Sequence, residues 1–378
     1  MAKLLFLVTE DWYFCSHRMP LARAARAAGY EVVVATRVNQ HGSAIVAEGF
    51  KLVSLGLRRG GHNPLHELAA IVEIARIYRH ERPDIVHHVA LKPVLYGSVA
   101  ARLAGGSAPA VVNALAGMGF IFASETFKAR LLRPFVARAF RLLLNAGRNV
   151  LILQNPDDQQ MLVEEGVVAA ARVRQIRGSG VDIRRFAPTP EPAGPLRPLV
   201  ILPSRLLWDK GVGEFVEAAR LLQVQGVQAR FALVGDSDPE NSAAIADEQL
   251  EAWAASGVVE WWGRREDMPQ VFAQANIVCL PSYREGLPKV LLEAAACGRA
   301  LVATDVPGCR EIVIDGHNGL LAPLRDAVGL AAAIRRLLDD AGLRAELGRC
   351  GRALVEAEFS EEKVVQQTLA VYREMQMQ

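Results

Sequence analysis

A repeated alternation constrains this chain more than any other feature. Short runs of consecutive apolar residues alternate with longer segments whose apolar residues recur at helical spacing. In the first half, Leu4–Val8, Glu31–Ala35, Ile85–Val89, Val111–Asn113 and Val150–Gln154 read as strands. Pro20–Ala28, Leu65–His80, Leu95–Ala104 and Phe127–Asn145 read as helices. A strand that is apolar at successive positions is buried on both faces, so strands of this kind separated by helices require a parallel sheet covered on both sides. The pattern stops at residues 186–198, where Pro188, Pro190, Pro192, Pro195 and Pro198 forbid a helix or a central strand. It then restarts with strands Leu199–Leu202, Arg230–Val234, Val258–Trp261, Ile277–Leu280 and Ala300–Thr304. Helices Val212–Gln223, Ala244–Ala254, Met268–Ala275 and Pro288–Ala296 separate them, and Leu330–Asp339, Leu343–Glu358 and Lys363–Met377 follow.

The expected architecture is α/β, with two Rossmann-like doubly wound domains facing a central cleft. The first spans residues 1–187, a proline-rich linker 188–198, and the second 199–358. A final helix over 359–378 is expected to cross back to the first domain. Ligands of such sheets lie beyond the carboxyl ends of the strands, which directs attention to the loops that follow them.

Composition narrows the function. A length of 378 residues suits two cores, and 51% hydrophobic residues excludes a disordered chain. The net charge of +2 conceals an asymmetry. Residues 1–190 carry 24 Lys+Arg against 14 Asp+Glu, whereas residues 191–378 carry 19 against 27. A basic half joined to an acidic half implies different partners for each. The five cysteines are odd in number and lack a CxxC pair, which fits a reducing compartment and neither a disulfide framework nor a zinc cluster. The apolar start breaks at Thr9–Trp12 without a small-residue cleavage site and reads as a first strand. No apolar run reaches the ~18 residues of a membrane span. The basic half lacks RNP or helix-turn-helix signals, so nucleic acid is not expected as a partner.

The densest motif is Pro281–Gly298, which reads as a turn carrying Glu285, Gly286, Leu287 and Pro288, then a helix carrying Glu293. The helix start aims free N–H groups and a partial positive charge at its ligand, which suits a diphosphate. Glu293, one and a half turns further on, suits the diol of a ribose. Either glutamate alone reads as a surface charge; the pair at a strand-to-helix crossing reads as a site. Ser204, Arg205 and Lys210 follow the first strand of the second domain, where two cations in one loop suit a diphosphate. Gly235 and Arg264 lie at two further strand ends, the second where backbone could read a base. In the first domain, His17 and Arg18 stand before a proline-started helix and suit an anionic acceptor. The loop lacks the glycines of a dinucleotide fingerprint. His87 and His88 lack companions for a metal site, and the reading is one buried and one cleft-facing histidine. The stretch 127–144 carries Lys128, Arg130, Arg133, Arg138 and Arg141 among Phe and Leu with no acid. That composition suits an anionic membrane surface, and equally a helix packing its apolar face on the sheet.

These motifs resemble the GT4 family of retaining glycosyltransferases, which have the GT-B fold, and the resemblance spans nearly the whole chain. Glu285 and Glu293 meet the family's E-x7-E signature, and Arg205 with Lys210 its phosphate-binding pair. Gly180-Val181-Asp182 and Phe186 match the G-V-D-x-x-x-F stretch before the family's linker. Bacterial members that extend polyprenyl-diphosphate-linked sugars are most similar, through Arg205–Phe215, Pro281–Gly286, Ala116–Phe120 and His17–Pro20. The resemblance implies a nucleotide-sugar donor, UDP-HexNAc or UDP-hexose, in the second domain. Arg205 and Lys210 would neutralise the leaving diphosphate, Glu285 with the amides of Gly286 and Leu287 would hold the donor sugar, and Glu293 the ribose. Ser204, Gly235, Arg264 and Pro288 would complete the donor site. His17, Arg18 and His88 would face a polyprenyl-diphosphate-linked acceptor. The family uses neither a metal nor a cofactor beyond the nucleotide sugar. A cytoplasmic enzyme, peripheral at the inner face of the membrane, is implied. Many members carry a histidine near the donor's anomeric carbon; here the matching region, Asn113–Gly119, has none. A same-face displacement, in which the leaving phosphate takes the proton of the incoming hydroxyl, is therefore the expected chemistry. A GT-B nucleotide-sugar epimerase is the alternative within the fold, but it would lack the E-x7-E spacing.

Overall fold

The computed structural model describes residues 1–57, 63–105, 108–115, 127–192, 197–239 and 241–377. It divides into Met1–Ser179 with Val364–Gln378, called unit 1, and Gly180–Lys363, called unit 2. Unit 1 contains β1 (Lys3–Glu10), α1 (Asp11–His17), α2 (Met19–Ala27), β2 (Glu31–Arg37), α3 (Gly42–Ala47), β3 (Lys51–Ser54) and α4 (Pro64–Glu81). It continues with β4 (Ile85–Val89), α5 (Leu91–Leu103), β5 (Ala110–Ala114), α6 (Phe127–Leu144), β6 (Asn149–Leu153), α7 (Pro156–Glu164) and β7 (Val173–Gln175). Its strands form one parallel sheet in the order β3-β2-β1-β4-β5-β6-β7. The central strands read as predicted, because Leu4–Leu7 and Val32–Ala35 are buried on both faces.

Unit 2 contains β8 (Leu199–Pro203), α8 (Val212–Val224), β9 (Arg230–Val234), α9 (Asp247–Ala255), β10 (Glu260–Trp261), α10 (Met268–Gln274) and β11 (Ile277–Leu280). It continues with α11 (Lys289–Ala296), β12 (Ala300–Thr304), β13 (Gly319–Ala322), α12 (Ala327–Asp339) and α13 (Ala341–Glu358). The sheet is again parallel, in the order β10-β9-β8-β11-β12-β13. Each sheet is wound outward in both directions from a central strand pair, β1/β4 and β8/β11. At such a switch the flanking connections leave in opposite directions and open a crevice at the carboxyl ends.

The chain passes between units at Ser179–Gly180, eight residues before the proline-rich stretch expected as the linker. Residues 181–191 belong to unit 2 because they are packed into it. Val181 and Phe186 lie in its core, and Glu191 accepts from Asn276 and Arg344. Val181 also pairs with Ser360 as a parallel bridge. The last helix, α14 (Glu361–Met377), carries Val364, Val365, Leu369, Val371, Tyr372 and Met375 into the core of unit 1. With these boundaries unit 1 carries 23 Lys+Arg against 14 Asp+Glu, and unit 2 carries 20 against 27. The charge asymmetry therefore survives the shift of boundary.

Candidate active site

In unit 2 the carboxyl ends of β8 and β11 each deliver a loop. Ser204–Leu207 follows β8 and runs through a 3-10 turn, Trp208–Lys210, into α8. Pro281–Pro288 follows β11 and runs into α11. Two glycines let neighbouring loops pack against the one after β11. Gly211 has φ +71°, and a Cβ there would stand 2.0 Å from the carbonyl oxygen of Pro281. Gly308, after β12, has φ +83°, and a Cβ there would stand 2.5 Å from the carbonyl oxygens of Glu285 and Gly286. A side chain at either position would force the loops apart. Further bonds tie them together. Tyr283 N–H donates to the Asp209 carbonyl at 2.9 Å, and its hydroxyl donates to Glu214 Oε1 at 2.7 Å. Burial and the neighbouring Glu214 push the Tyr283 phenol up to about 12, which keeps it a donor at neutral pH. Arg325 lies over its ring, 4.5 Å from the centroid.

This closure brings Lys210 and Glu285 together across 75 positions of sequence. Nζ lies 2.5 Å from Oε1, and the side chains are 17% and 13% exposed. A pair this far out of water is stronger than a surface pair and more costly to break. Arg205 does not share that partner; its Nη1 donates to Asp238 Oδ2 at 2.7 Å, and nearly half of its side chain is exposed. Ser204 Oγ donates to the Arg205 carbonyl at 2.9 Å and so holds its own loop. Gly235 uses its N–H on the Gly263 carbonyl and its C=O on Trp261 Nε1, which fixes the end of β9 internally. Arg264 is 60% exposed and paired with Glu266 at 3.4 Å, while its N–H donates to Asp236.

Pro288 is the N-cap of α11, one residue before the helix, and no acid stands in the first turn to oppose an incoming anion. Leu287 is 9% exposed and belongs to the core, so only its backbone faces the loop. Glu293 lies on α11 with 14% of its side chain exposed and Lys289 Nζ 3.6 Å away. Burial raises its carboxyl, against the pull of Lys289 and Arg185. Sequence reasoning missed Tyr283, Glu214, Asp238 and Gly308. Each acts through a neighbour remote in sequence, and only Gly308, glycine after a strand, carries a local signal.

In unit 1 the segment expected as a loop after β1 is helical from Asp11 to His17. His17 ends that helix, stacked on Tyr13 with ring centroids 4.2 Å apart and 2.7 Å from Ser16 Oγ. Arg18 stands between α1 and α2 and is 6% exposed, and its Nε has no hydrogen-bond partner among the described residues. Its neighbours are His87 and Tyr372. His88 does not face solvent, contrary to expectation. β4 is central and covered on both faces, so His87 and His88 are both buried, pointing to opposite sides. His88 Nδ1 lies 2.8 Å from Asn113 Oδ1 and its Nε2 lies 2.9 Å from the Tyr78 hydroxyl, so both nitrogens are engaged. His88 is a core residue, not an acceptor contact. Ala90, directly after β4, holds φ +79° and ψ 167°, a region normally left to glycine.

On α6, Leu131, Phe135 and Leu142 are 58%, 68% and 58% exposed. Arg138 is exposed beside them. Arg141, expected as a free cation of that face, instead donates to the carbonyls of Gly166 and Glu165 at 2.8 and 3.0 Å. The Ala116–Phe120 motif and the side chains of Lys128 and Arg130 lie outside the described residues. Among the described residues no helix is long and apolar enough to cross a membrane, and no three His, Cys, Asp or Glu side chains gather as a metal site.

Comparison with known proteins agrees with this geometry. A family profile described as "Glycosyl transferase 4-like" matches residues 3–155, and one described as "Glycosyl transferases group 1" matches residues 197–340. The chain is 28% identical over 366 residues to the N,N'-diacetylbacillosaminyl-diphospho-undecaprenol alpha-1,3-N-acetylgalactosaminyltransferase of Campylobacter jejuni, with 94% of each chain covered. It is 25% identical over 303 residues to the UDP-Gal:alpha-D-GlcNAc-diphosphoundecaprenol alpha-1,3-galactosyltransferase of Escherichia coli, covering 77% of this chain and 76% of that one. In fold it is similar to sucrose-phosphate synthase from Thermosynechococcus elongatus, with a TM-score of 0.81, 21% identity and 99% of each chain covered.

Proposed function

The chain belongs to the GT4 family of glycosyltransferases with the GT-B fold, and from that premise we propose that it transfers a hexose or N-acetylhexosamine from a UDP-sugar to a saccharide carried on a polyprenyl diphosphate, retaining the anomeric configuration. The observation that carries this reading is the Lys210–Glu285 pair, held where the loops after β8 and β11 meet beside the start of α11. Cation, carboxylate and helix N-terminus are the parts a sugar diphosphate needs. The diphosphate takes Lys210, the exposed Arg205 and the free N–H groups of α11 as its counter-charges. Taking Lys210 from Glu285 frees that carboxylate to accept from the donor sugar's hydroxyls. Glu293 accepts from the ribose. As the glycosidic bond to the diphosphate breaks, charge builds on the leaving oxygen, and these donors stabilise it more than the ground state. The leaving phosphate then takes the proton of the acceptor hydroxyl arriving on the same face.

Unit 1 takes the acceptor. Arg18 is a buried guanidinium with an orphaned Nε, and an acceptor diphosphate repays the cost of leaving it unpaired. The basic balance of unit 1 and the exposed face of α6 keep the enzyme peripheral at the inner face of the membrane.

The test is to incubate the protein with UDP-sugars and a short polyprenyl-diphosphate saccharide in EDTA. Transfer with retention is expected, and Glu285→Gln or Lys210→Ala should lower kcat about 10²–10³-fold. UDP-sugar turnover without a glycosylated acceptor would point to an epimerase. An inverted product, or full activity in Glu285→Gln, would overturn the assignment of roles.

A further inference from the structure

A second cluster of cations lies in unit 2 at the opposite end of the sheet. Asn276 and Arg299 stand directly before β11 and β12, so they mark the amino ends of these strands, whereas the donor loop leaves the carboxyl end of β11. Four residues of strand separate the two places by about 13 Å. The surface there is an open groove of about 340 Å³. Its lining contains Arg299, Arg344, Arg349 and Arg352, and among the described residues a single carboxylate, Glu191.

The four guanidiniums are not equally committed. Arg352 Nη1 donates to the carbonyls of Ile183, Phe186 and Ala296, and its Nε donates to Glu356 outside the groove. Arg344 donates to the Leu337 carbonyl and to Glu191 at 2.6 Å, and Glu191 also accepts from Asn276. Arg299 is only 2% exposed; its Nη2 donates to the Thr189 carbonyl at 2.6 Å, and its Nε has no hydrogen-bond partner among the described residues. Arg349 is exposed at the rim and makes no ion pair among the described residues. The balance is four cations, one orphaned N–H on a buried guanidinium and one carboxylate already shared by two donors. Buried guanidinium groups are normally satisfied, because leaving an N–H unpaired out of water is costly. A tetrahedral oxyanion in the groove accepts from the exposed Arg349 at its rim, and its charge offsets the surplus of arginines.

We propose that this groove is a second anion site, which binds a phosphate group, free or as a phosphomonoester, independently of the donor site. It does not depend on the transfer reaction. A volume of about 340 Å³ exceeds a lone phosphate and falls within the range of small-molecule pockets, so an organic body attached to the phosphate fits.

The whole chain is titrated by calorimetry with inorganic phosphate and with glucose 6-phosphate. Saturable binding of both is expected, and it persists when excess UDP fills the donor site. Arg349→Glu, at a side chain that makes no ion pair among the described residues, should weaken binding about tenfold or more and leave transferase activity unchanged, while Arg349→Lys keeps most of the binding. Lys210→Ala should bind as the parent does. Tighter binding of glucose 6-phosphate assigns the groove to phosphomonoesters; equal binding assigns it to the free anion. Binding unaffected by Arg349→Glu, abolished by Lys210→Ala, or never saturating, overturns the proposal.

Discussion

The buried histidines of β4 make folding sensitive to acid. Burial pulls His88 down to about 4, and pulls His87 further below its ordinary range with help from Arg18 and His88. Below about pH 6.5 the unfolded chain binds protons at both positions while the folded chain binds neither. Stability is therefore full above pH 6.5 and falls as pH drops towards 4, by about 1.4 kcal/mol per pH unit for each histidine. Urea midpoints measured from pH 7 to pH 5 should slope less steeply in His88→Gln, by about one proton. An unchanged slope would remove His88 from this account. The sequence made one histidine of the pair legible as buried, but not that both are core. Their burial follows from the place of β4 in the sheet, and Gly97 makes room for the His88 ring, since a Cβ there would stand 2.5 Å from Nε2. Glu285, Glu293, Arg205 and Lys210 were legible because they lie in two continuous motifs. That Lys210 pairs with Glu285 while Arg205 pairs with Asp238 was not, since both partners lie far along the chain.

The longest elements were read correctly, whereas several short ones (α3, β3, α7, β7 and β13) were missed. α4 and α14 span 18 and 17 residues and carry their apolar residues at helical spacing. β3 and β7 are edge strands of four and three residues, partly exposed, with too few alternations to register. α1 follows β1 with no intervening turn, so its residues read as a loop. The proposed membrane contact of α6 rests on its exposed face. Leu131, Phe135, Arg138 and Leu142 recur at spacings of four, three and four, which places them on one stripe, and all four are exposed. Phe140 and Leu144 face the core instead. Phe135→Ser with Arg138→Glu should lower binding to anionic liposomes by about tenfold or more, from lost apolar burial and reversed charge. Sedimentation with vesicles of anionic and neutral lipid measures it, and binding that ignores both changes would sink the proposed membrane role of α6. Arg141 is left out of the variant because its carbonyl bonds hold the Glu165–Gly166 turn.

At the scale of the whole molecule, the chain leaves unit 1 once and returns to it with one helix. Six buried side chains of α14 sit in the core of unit 1, and the Tyr372 hydroxyl lies 2.5 Å from His87 Nδ1. At about 1.5–3 kcal/mol each, these contacts match or exceed the 5–15 kcal/mol that holds an ordinary domain together. A chain ending at Lys363 should lose the thermal transition of unit 1 and keep that of unit 2. Calorimetry with limited proteolysis reads this directly, and two intact transitions in the shortened chain would refute it. The sequence by itself determined that there are two parallel α/β units, their opposite charge balance and the motifs proposed to carry the donor chemistry. Those depend on apolar runs, helical spacing and adjacent residues, which are local. The tertiary structure alone decided that the crossing lies at Ser179–Gly180, because Val181, Phe186 and Glu191 are claimed by packing and bonds that the prolines beside them do not announce. It alone paired Lys210 with Glu285, buried His88 and gathered four arginines at the amino ends of β11 and β12. Each is a meeting of residues brought together by strand order, and strand order is fixed only once the sheet has closed its core.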